Sequence, residues 1–178
     1  GYARVPAECT LMQSAKAGAL ASDDEALDAL AGEITAEMEA SRLYILGPGT
    51  TVQRIKARLG GGTLLGIDAA LDGRLIGTDL NEAQILSLLD GRKTTSIVGL
   101  IGGQGYVFGR GNQPISADVI RHVGLDNIVV LGGLAKLLAL DPPCLHVDTG
   151  DEAIDGMLAG HRRVRIGPQQ AMIFKVVA

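Results

Sequence analysis

The 178-residue sequence has no tryptophan, and three tyrosines with two phenylalanines leave aromatics at 3%. A hydrophobic core must therefore be built from Leu, Ile, Val and Ala, which supply most of the 47% hydrophobic residues. There is no run of Lys or Arg and no interleaving of basic with aromatic residues, and the net charge is −4. Nucleic acid is not an expected partner, because binding a phosphate backbone needs a basic patch. The nearest approach to one, His161, Arg162, Arg163 and Arg165, reads as a solvated strand edge. The two cysteines, Cys9 and Cys144, have no CxxC spacing, so neither a disulfide framework nor a zinc site is expected. No stretch approaches the ~18 apolar residues of a membrane span, and no signal peptide opens the chain. A cytoplasmic setting with no membrane contact is the expectation. The length is enough to bury a core without a metal, cofactor or disulfide to staple it.

What is abundant is glycine, at 25 residues, much of it clustered in short motifs. With so many aliphatics and few prolines, the clusters point to shaped loops and not to disorder. Residues 1–21 show no convincing period and read as a connecting segment from an upstream half, and 22–178 read as one α/β ligand-binding domain. Ser22 and Glu25 make a capping box for a helix with Leu27, Leu30, Ile34 and Met38 at helical spacing. From Leu43 onward, short apolar runs alternate with helical segments. Strands are expected at Leu43–Leu46, Leu64–Ile67, Arg74–Gly77, Ser96–Ile101, Asn127–Leu131 and Cys144–Val147. A hairpin is signalled at Asp72-Gly73. Helices are expected after Thr51, after Asn81, after Ser116 and around Lys136. Another should follow a second capping box, Thr149 with Glu152. The chain closes on a β-hairpin, Arg163–Ile166 and Met172–Val177, turning at Gly167-Pro168. Such alternation implies a mostly parallel sheet flanked by helices, Rossmann-like or phosphosugar-isomerase-like, with ligands beyond the carboxyl ends of strands.

Three loops stand at such ends. Gly47-Pro48-Gly49-Thr50-Thr51 joins a strand to a helix start, where free N–H groups attract an anion and glycines admit it closely. A plain tight turn with Thr50 or Thr51 as N-cap is the competing reading. Gly102-Gly103-Gln104-Gly105, and then Gly109-Arg110-Gly111-Asn112-Gln113, carry more glycine and polar side chains than a connection needs. Arg110 offers a planar fork for phosphate or carboxylate, while Asn112 and Gln113 can read a base or sugar edge. The alternative is a structural loop of positive-φ glycines and capping amides. At the third end, Asp148 can orient a ribose hydroxyl, hold a metal or act as a base. Asp151 and Glu152 favour a helix-capping role. Asp68 is a similar acid with a turn-residue alternative. The catalytic group is thus undefined, with Asp148 and Asp68 as weak candidates. Arg110 is the expected main anion-binding side chain, and the Gly47, Gly102 and Asp148 loops are expected to share one edge of the sheet. His122, His146 and His161 do not form a centre. No Gly-x-Ser-x-Gly elbow or Walker lysine is present.

In order and spacing, Leu43-Tyr44-Ile45-Leu46-Gly47-Pro48-Gly49-Thr50-Thr51, Leu64-Leu65-Gly66-Ile67-Asp68, Gly102-Gly103-Gln104-Gly105, Phe108-Gly109-Arg110-Gly111-Asn112-Gln113 and Val147-Asp148-Thr149-Gly150-Asp151 resemble the C-terminal part of the ATP-NAD kinase-like proteins. That group includes the acetoin-catabolism protein X type. The opening Gly1-Tyr2-Ala3-Arg4-Val5-Pro6 resembles that family's segment just after its kinase-like half. The resemblance implies a phosphotransferase of NADP biosynthesis that phosphorylates NAD with ATP and a divalent metal such as Mg. This domain would bind the nucleotide or NAD, and its partner would be the upstream half. The family's Gly-Gly-Asp-Gly loop is absent here, so this stretch alone should lack NAD kinase turnover. Gly99-Leu100 and Gly132-Gly133-Leu134 depart from the family, which tends to have Thr-Pro and more polar residues there. Asn81-Glu82 is similar to the kinases' Asn-Glu pair but opens a helix. A fainter likeness, in Gly-x-Gly-Thr-Thr and Asp-x-Gly-Asp, is to sugar-phosphate isomerases of the ribose-5-phosphate isomerase and glucosamine-6-phosphate deaminase type. An isomerase-like enzyme and a non-catalytic domain making homo-oligomer contacts are the alternatives.

Overall fold

The computed structural model describes residues 12–13 and 22–178; Cys9 and most of the segment expected to be a connection lie outside them. The elements run β1 (Met12–Gln13), α1 (Asp23–Glu37), β2 (Leu43–Leu46), α2 (Thr50–Arg58), β3 (Asp68–Leu71), β4 (Arg74–Gly77), α3 (Glu82–Leu89), β5 (Thr94–Gly99) and β6 (Tyr106–Phe108). Then come α4 (Ala117–Val123), a 3-10 turn (Leu125–Asn127), β7 (Ile128–Leu131), α5 (Leu134–Leu138), β8 (Cys144–Val147), α6 (Glu152–Leu158), β9 (Gly160–Gly167) and β10 (Gln170–Val177). One sheet, in the order β4-β3-β2-β5-β7-β9-β10-β8-β6, carries the fold, and β1 adds to β10.

The expected α/β architecture with a mostly parallel sheet holds. The pairs β2–β5, β5–β7, β7–β9, β10–β8 and β6–β8 are parallel. Among the described residues, antiparallel pairing is found at β2–β3, the β3–β4 hairpin, the C-terminal β9–β10 hairpin, β1 and the isolated Ile101–Tyr106 bridge. Helices cover both faces, which is why β2 (Leu-Tyr-Ile-Leu) and β7 (Ile-Val-Val-Leu) are apolar throughout instead of alternating. Tyr44, Leu46, Ile97 and Leu131 pack under Leu30 and Ile34 of α1 and Val52 and Ile55 of α2. Leu43, Ile45, Val98 and Val130 pack on the opposite side with residues of α3, α4 and α6, such as Ile85, Val119 and Ile154. Helix starts follow the side-chain chemistry. Ser22 accepts from the Glu25 N–H, Ser116 from that of Val119, and Asn81 with Gln84 closes a reciprocal box.

Strand direction has a consequence for the loops. β10 is antiparallel to β9, and β8 and β6 follow β10. The sheet therefore holds two parallel groups, β2-β5-β7-β9 and β10-β8-β6, that run in opposite directions. The carboxyl ends of β2, β5 and β7 share one end of the sheet, and that of β8, where Asp148 follows, points the other way. The three loops thus do not share one edge.

Three local expectations change. Leu64–Ile67 is not a strand; pairing begins at Asp68. The carbonyls of Thr63 and Gly66 are taken by Lys56 Nζ, and that of Leu64 by the Gly49 N–H, so this stretch serves α2 instead of a strand partner. Leu64 and Leu65 are accordingly exposed. The second capping box is replaced by Asp151, which accepts from the Ile154 N–H as N-cap of α6, while Thr149 donates its hydroxyl to Asp155. Cys144 is disulfide-bonded, against the expectation from spacing. Separation along the chain does not limit which side chains a fold brings together.

Candidate functional site

A cavity of about 500 Å³ opens at the carboxyl ends of β2, β5 and β7. Its walls are Pro48 to Thr51 after β2, Gly99 to Gly102 at the end of β5, Leu65, Gly111, and Lys136 of α5. Among the described residues the lining contains one cation and no carboxylate. Its floor is the start of α2. Gly49 is the N-cap with φ +104, no side chain caps the helix, and a Cβ at Gly49 would meet nothing within 4 Å. The first-turn N–H groups of Thr50 and Thr51 have no intrahelical acceptor and face a space that a ligand can enter. Gly47 serves packing instead, since a Cβ there would lie 3.2 Å from Val98 Cγ1. Lys136 is exposed, and its ammonium makes a long hydrogen bond of 3.4 Å to the Leu100 carbonyl.

The residues picked from sequence divide in two. Gly49, Thr50, Thr51, Gly102 and Gly111 line the cavity. Gly103 and Gln104 continue the exposed turn beside it, and Gly105 packs beneath, where a Cβ would be 3.0 Å from the Cys144 carbonyl. The others do different work. Arg110 is exposed and stacks over the Tyr106 ring, 4.3 Å from its centroid. Tyr106 in turn packs against His146, whose imidazole is held below its usual pKa by burial and then by the Arg110 charge. Asn112 is fully buried; its amide donates to the Val107 carbonyl at 2.8 Å and accepts from the Gly109 N–H. It braces the loop and has no edge free for a base. Gln113 is exposed.

Asp148 is exposed, outside the cavity lining, with its N–H on the Phe108 carbonyl at 3.1 Å. Asp151 caps α6 and pairs with Arg121 of α4; the Ile154 N–H, then Arg121, hold its carboxyl below the usual range. Asp68 is corrected from acid candidate to structural anchor. It is fully buried, paired with the equally buried Lys56 at 3.0 Å, and accepts from Thr63 and from the Asp79 N–H. Burial alone would raise its pKa, but the donors of Thr63, Asp79 and Lys56 outweigh that and hold it below the ordinary carboxyl value. Such a group cannot meet substrate.

Sequence reading missed Lys136 as the cavity's cation and Leu65 as part of its wall. A signal was available for Lys136: it lies just past the Gly132-Gly133 turn that ends β7, the neighbour of β5.

Strands in parallel, helices on both faces and a cavity beyond adjacent carboxyl ends define an α/β domain of the kind that binds ligands at that position. The sequence model of the ATP-NAD kinase C-terminal domain matches residues 40–176, and the chain belongs to that family. No curated protein and no solved structure matches it.

Proposed function

We propose that this domain binds a phosphorylated ligand, a nucleotide or NAD, in the cavity above α2, and that in the intact protein it contributes to ATP-dependent phosphorylation of NAD. The carrying observation is the cavity itself. Its floor is an uncapped helix start with two threonines, and its only charge among the described lining residues is positive. An anion there gains partial positive charge from α2, close approach at Gly49 and Gly102, and a full charge from Lys136. Phosphoryl transfer depends on positioning and charge neutralisation, so this domain's part would be to hold phosphates still. Among the described residues no three His, Cys, Asp or Glu stand close enough to hold a metal. A divalent ion such as Mg would come with the nucleotide's own phosphates. Among the described residues no helix is long and apolar enough to cross a membrane.

A thermal-shift screen across NAD, NADP, ATP and sugar phosphates tests the reading. Stabilisation by the nucleotides supports it; a response to sugar phosphates alone would favour isomerase-like chemistry, and no response at all would leave an oligomerisation role. Lys136→Ala should weaken binding of the active ligand about ten- to a hundredfold, the worth of one charge-assisted bond. Arg110→Ala, in contrast, should change affinity less than about twofold, because an exposed side chain outside the cavity adds only a screened long-range term. Calorimetric titration of both variants decides which cation serves the site.

A further inference from the structure

We infer that Asp23, at the first turn of α1, is a positioning residue for the cavity's lysine. The inference rests on the anion-binding reading of the cavity. α5, which carries Lys136, has no cap of its own: Gly133 is its N-cap and no side chain from the turn bonds its first N–H groups. A carboxylate from a distant part of the chain does so instead. Asp23 Oδ2 accepts from the Ala135 N–H at 2.8 Å, across 112 residues of sequence. The Gly132-Gly133 turn is shaped around that oxygen, since a Cβ on Gly133 would stand 2.8 Å from it. α1 is itself fixed to α2 by Arg54, which pairs with Asp24 at 2.7 Å and Asp28 at 2.6 Å. A chain of contacts thus runs from α2, the floor of the cavity, through α1 to the start of α5, one residue before Lys136.

A helix of five residues is marginal without its cap, and among the described residues the ammonium is otherwise tied only to the Leu100 carbonyl at 3.4 Å. Asp23 therefore sets where Lys136 sits relative to the α2 N–H groups. The sign of the effect separates this role from simple electrostatics. A carboxylate near an anion site repels the anion, so as a bare charge Asp23 would weaken binding and its removal would tighten it. As a positioning group it does the opposite.

Titration of inorganic pyrophosphate into the 178-residue chain, with melting temperature recorded on each variant, is the test. Asp23→Ala should raise the Kd about three- to tenfold, the loss of one helix cap expressed as affinity. Asp23→Asn keeps an oxygen for the Ala135 N–H and should stay within about twofold of the parent or bind slightly tighter. In a Lys136→Ala background, Asp23→Ala should change the Kd by less than about twofold, because coupled residues are not additive. The inference is overturned if Asp23→Ala leaves the Kd unchanged or lowers it, whatever happens to the melting temperature. It is also overturned if the effect persists in full without Lys136. Failure of the parent chain to bind pyrophosphate, or a Lys136→Ala variant that binds as the parent does, would instead remove the anion-site reading, and the role of Asp23 with it.

Discussion

Asp68→Ala is expected to lower the unfolding free energy by about 3–5 kcal/mol, the cost of stranding a buried charge by removing its partner. The Lys56 ammonium and the Asp68 carboxylate are both fully buried, 3.0 Å apart. Without the carboxylate the ammonium keeps only the Thr63 and Gly66 carbonyls, and the Thr63 and Asp79 N–H groups lose their acceptor. For a domain of this size each kcal/mol moves the midpoint by roughly 2–4 °C, so the melting temperature should fall by about 6–20 °C. Adding Lys56→Met should recover part of the loss, since no charge is then left unpaired. Urea denaturation of the two variants measures this; a double variant less stable than Asp68→Ala alone would contradict it.

The same pair sets an acid limit. The folded pKa of Asp68 lies below its unfolded value of about 3.8, so the stabilisation is fully present above that value. It is lost as pH falls through the lower folded value. Thermal melts on the parent should therefore show this contribution disappearing only below about pH 3.8, and the Asp68→Ala variant should lack that component. The cavity floor is tied to the anchor as well. The loop that Lys56 and Asp68 hold supplies the Leu64 carbonyl, which receives the Gly49 N–H at the cavity floor.

Gly109→Ala should cost about 2–5 kcal/mol, overpacking and left-handed strain together. A Cβ on Gly109 would lie 1.8 Å from the Asp148 carbonyl oxygen and 2.5 Å from its carbon, and φ is +103. Both obstacles are backbone, so no side chain can swing aside. The edge strand β6 would have to part from β8, where the Asp148 N–H bonds the Phe108 carbonyl. Gly103→Ala is the control. A Cβ there meets nothing within 4 Å, so its stability should stay within about 0.5 kcal/mol of the parent. Equal urea midpoints for the two variants would show that the two loops are not in contact.

These effects sort by what a sequence can display. The β3–β4 and β9–β10 hairpins were readable because their turns depend on neighbours: Asp72-Gly73 and Gly167-Pro168 set the reversal locally. The helices from Ser22, Asn81 and Ser116 were readable for the same reason, a cap and the N–H that donates to it lying three residues apart. Strand Leu64–Ile67 was misread because an apolar run signals burial, not pairing. Lys56 takes the carbonyls of Thr63, just before that run, and of Gly66 within it. Nothing local distinguishes Asp68 from Asp148, yet one is sealed in an ion pair and the other faces solvent.

By itself the sequence determined the fold class and family. Both rest on periodicity and on motifs whose residues act within a few positions of one another. It also singled out Gly49, Thr50, Thr51, Gly102 and Gly111, all of which line the cavity, because they lie in glycine-rich loops beyond strand ends. Only the tertiary structure decided which of those loops meet. The antiparallel β9–β10 pairing reverses β8 and β6, carrying Asp148 away from the end where β2, β5 and β7 open. The order β2-β5-β7 instead brings Lys136 to the cavity and leaves Arg110 stacked on Tyr106. Strand order and direction are set by long-range pairing among apolar segments of similar composition. No residue along the chain records that choice locally.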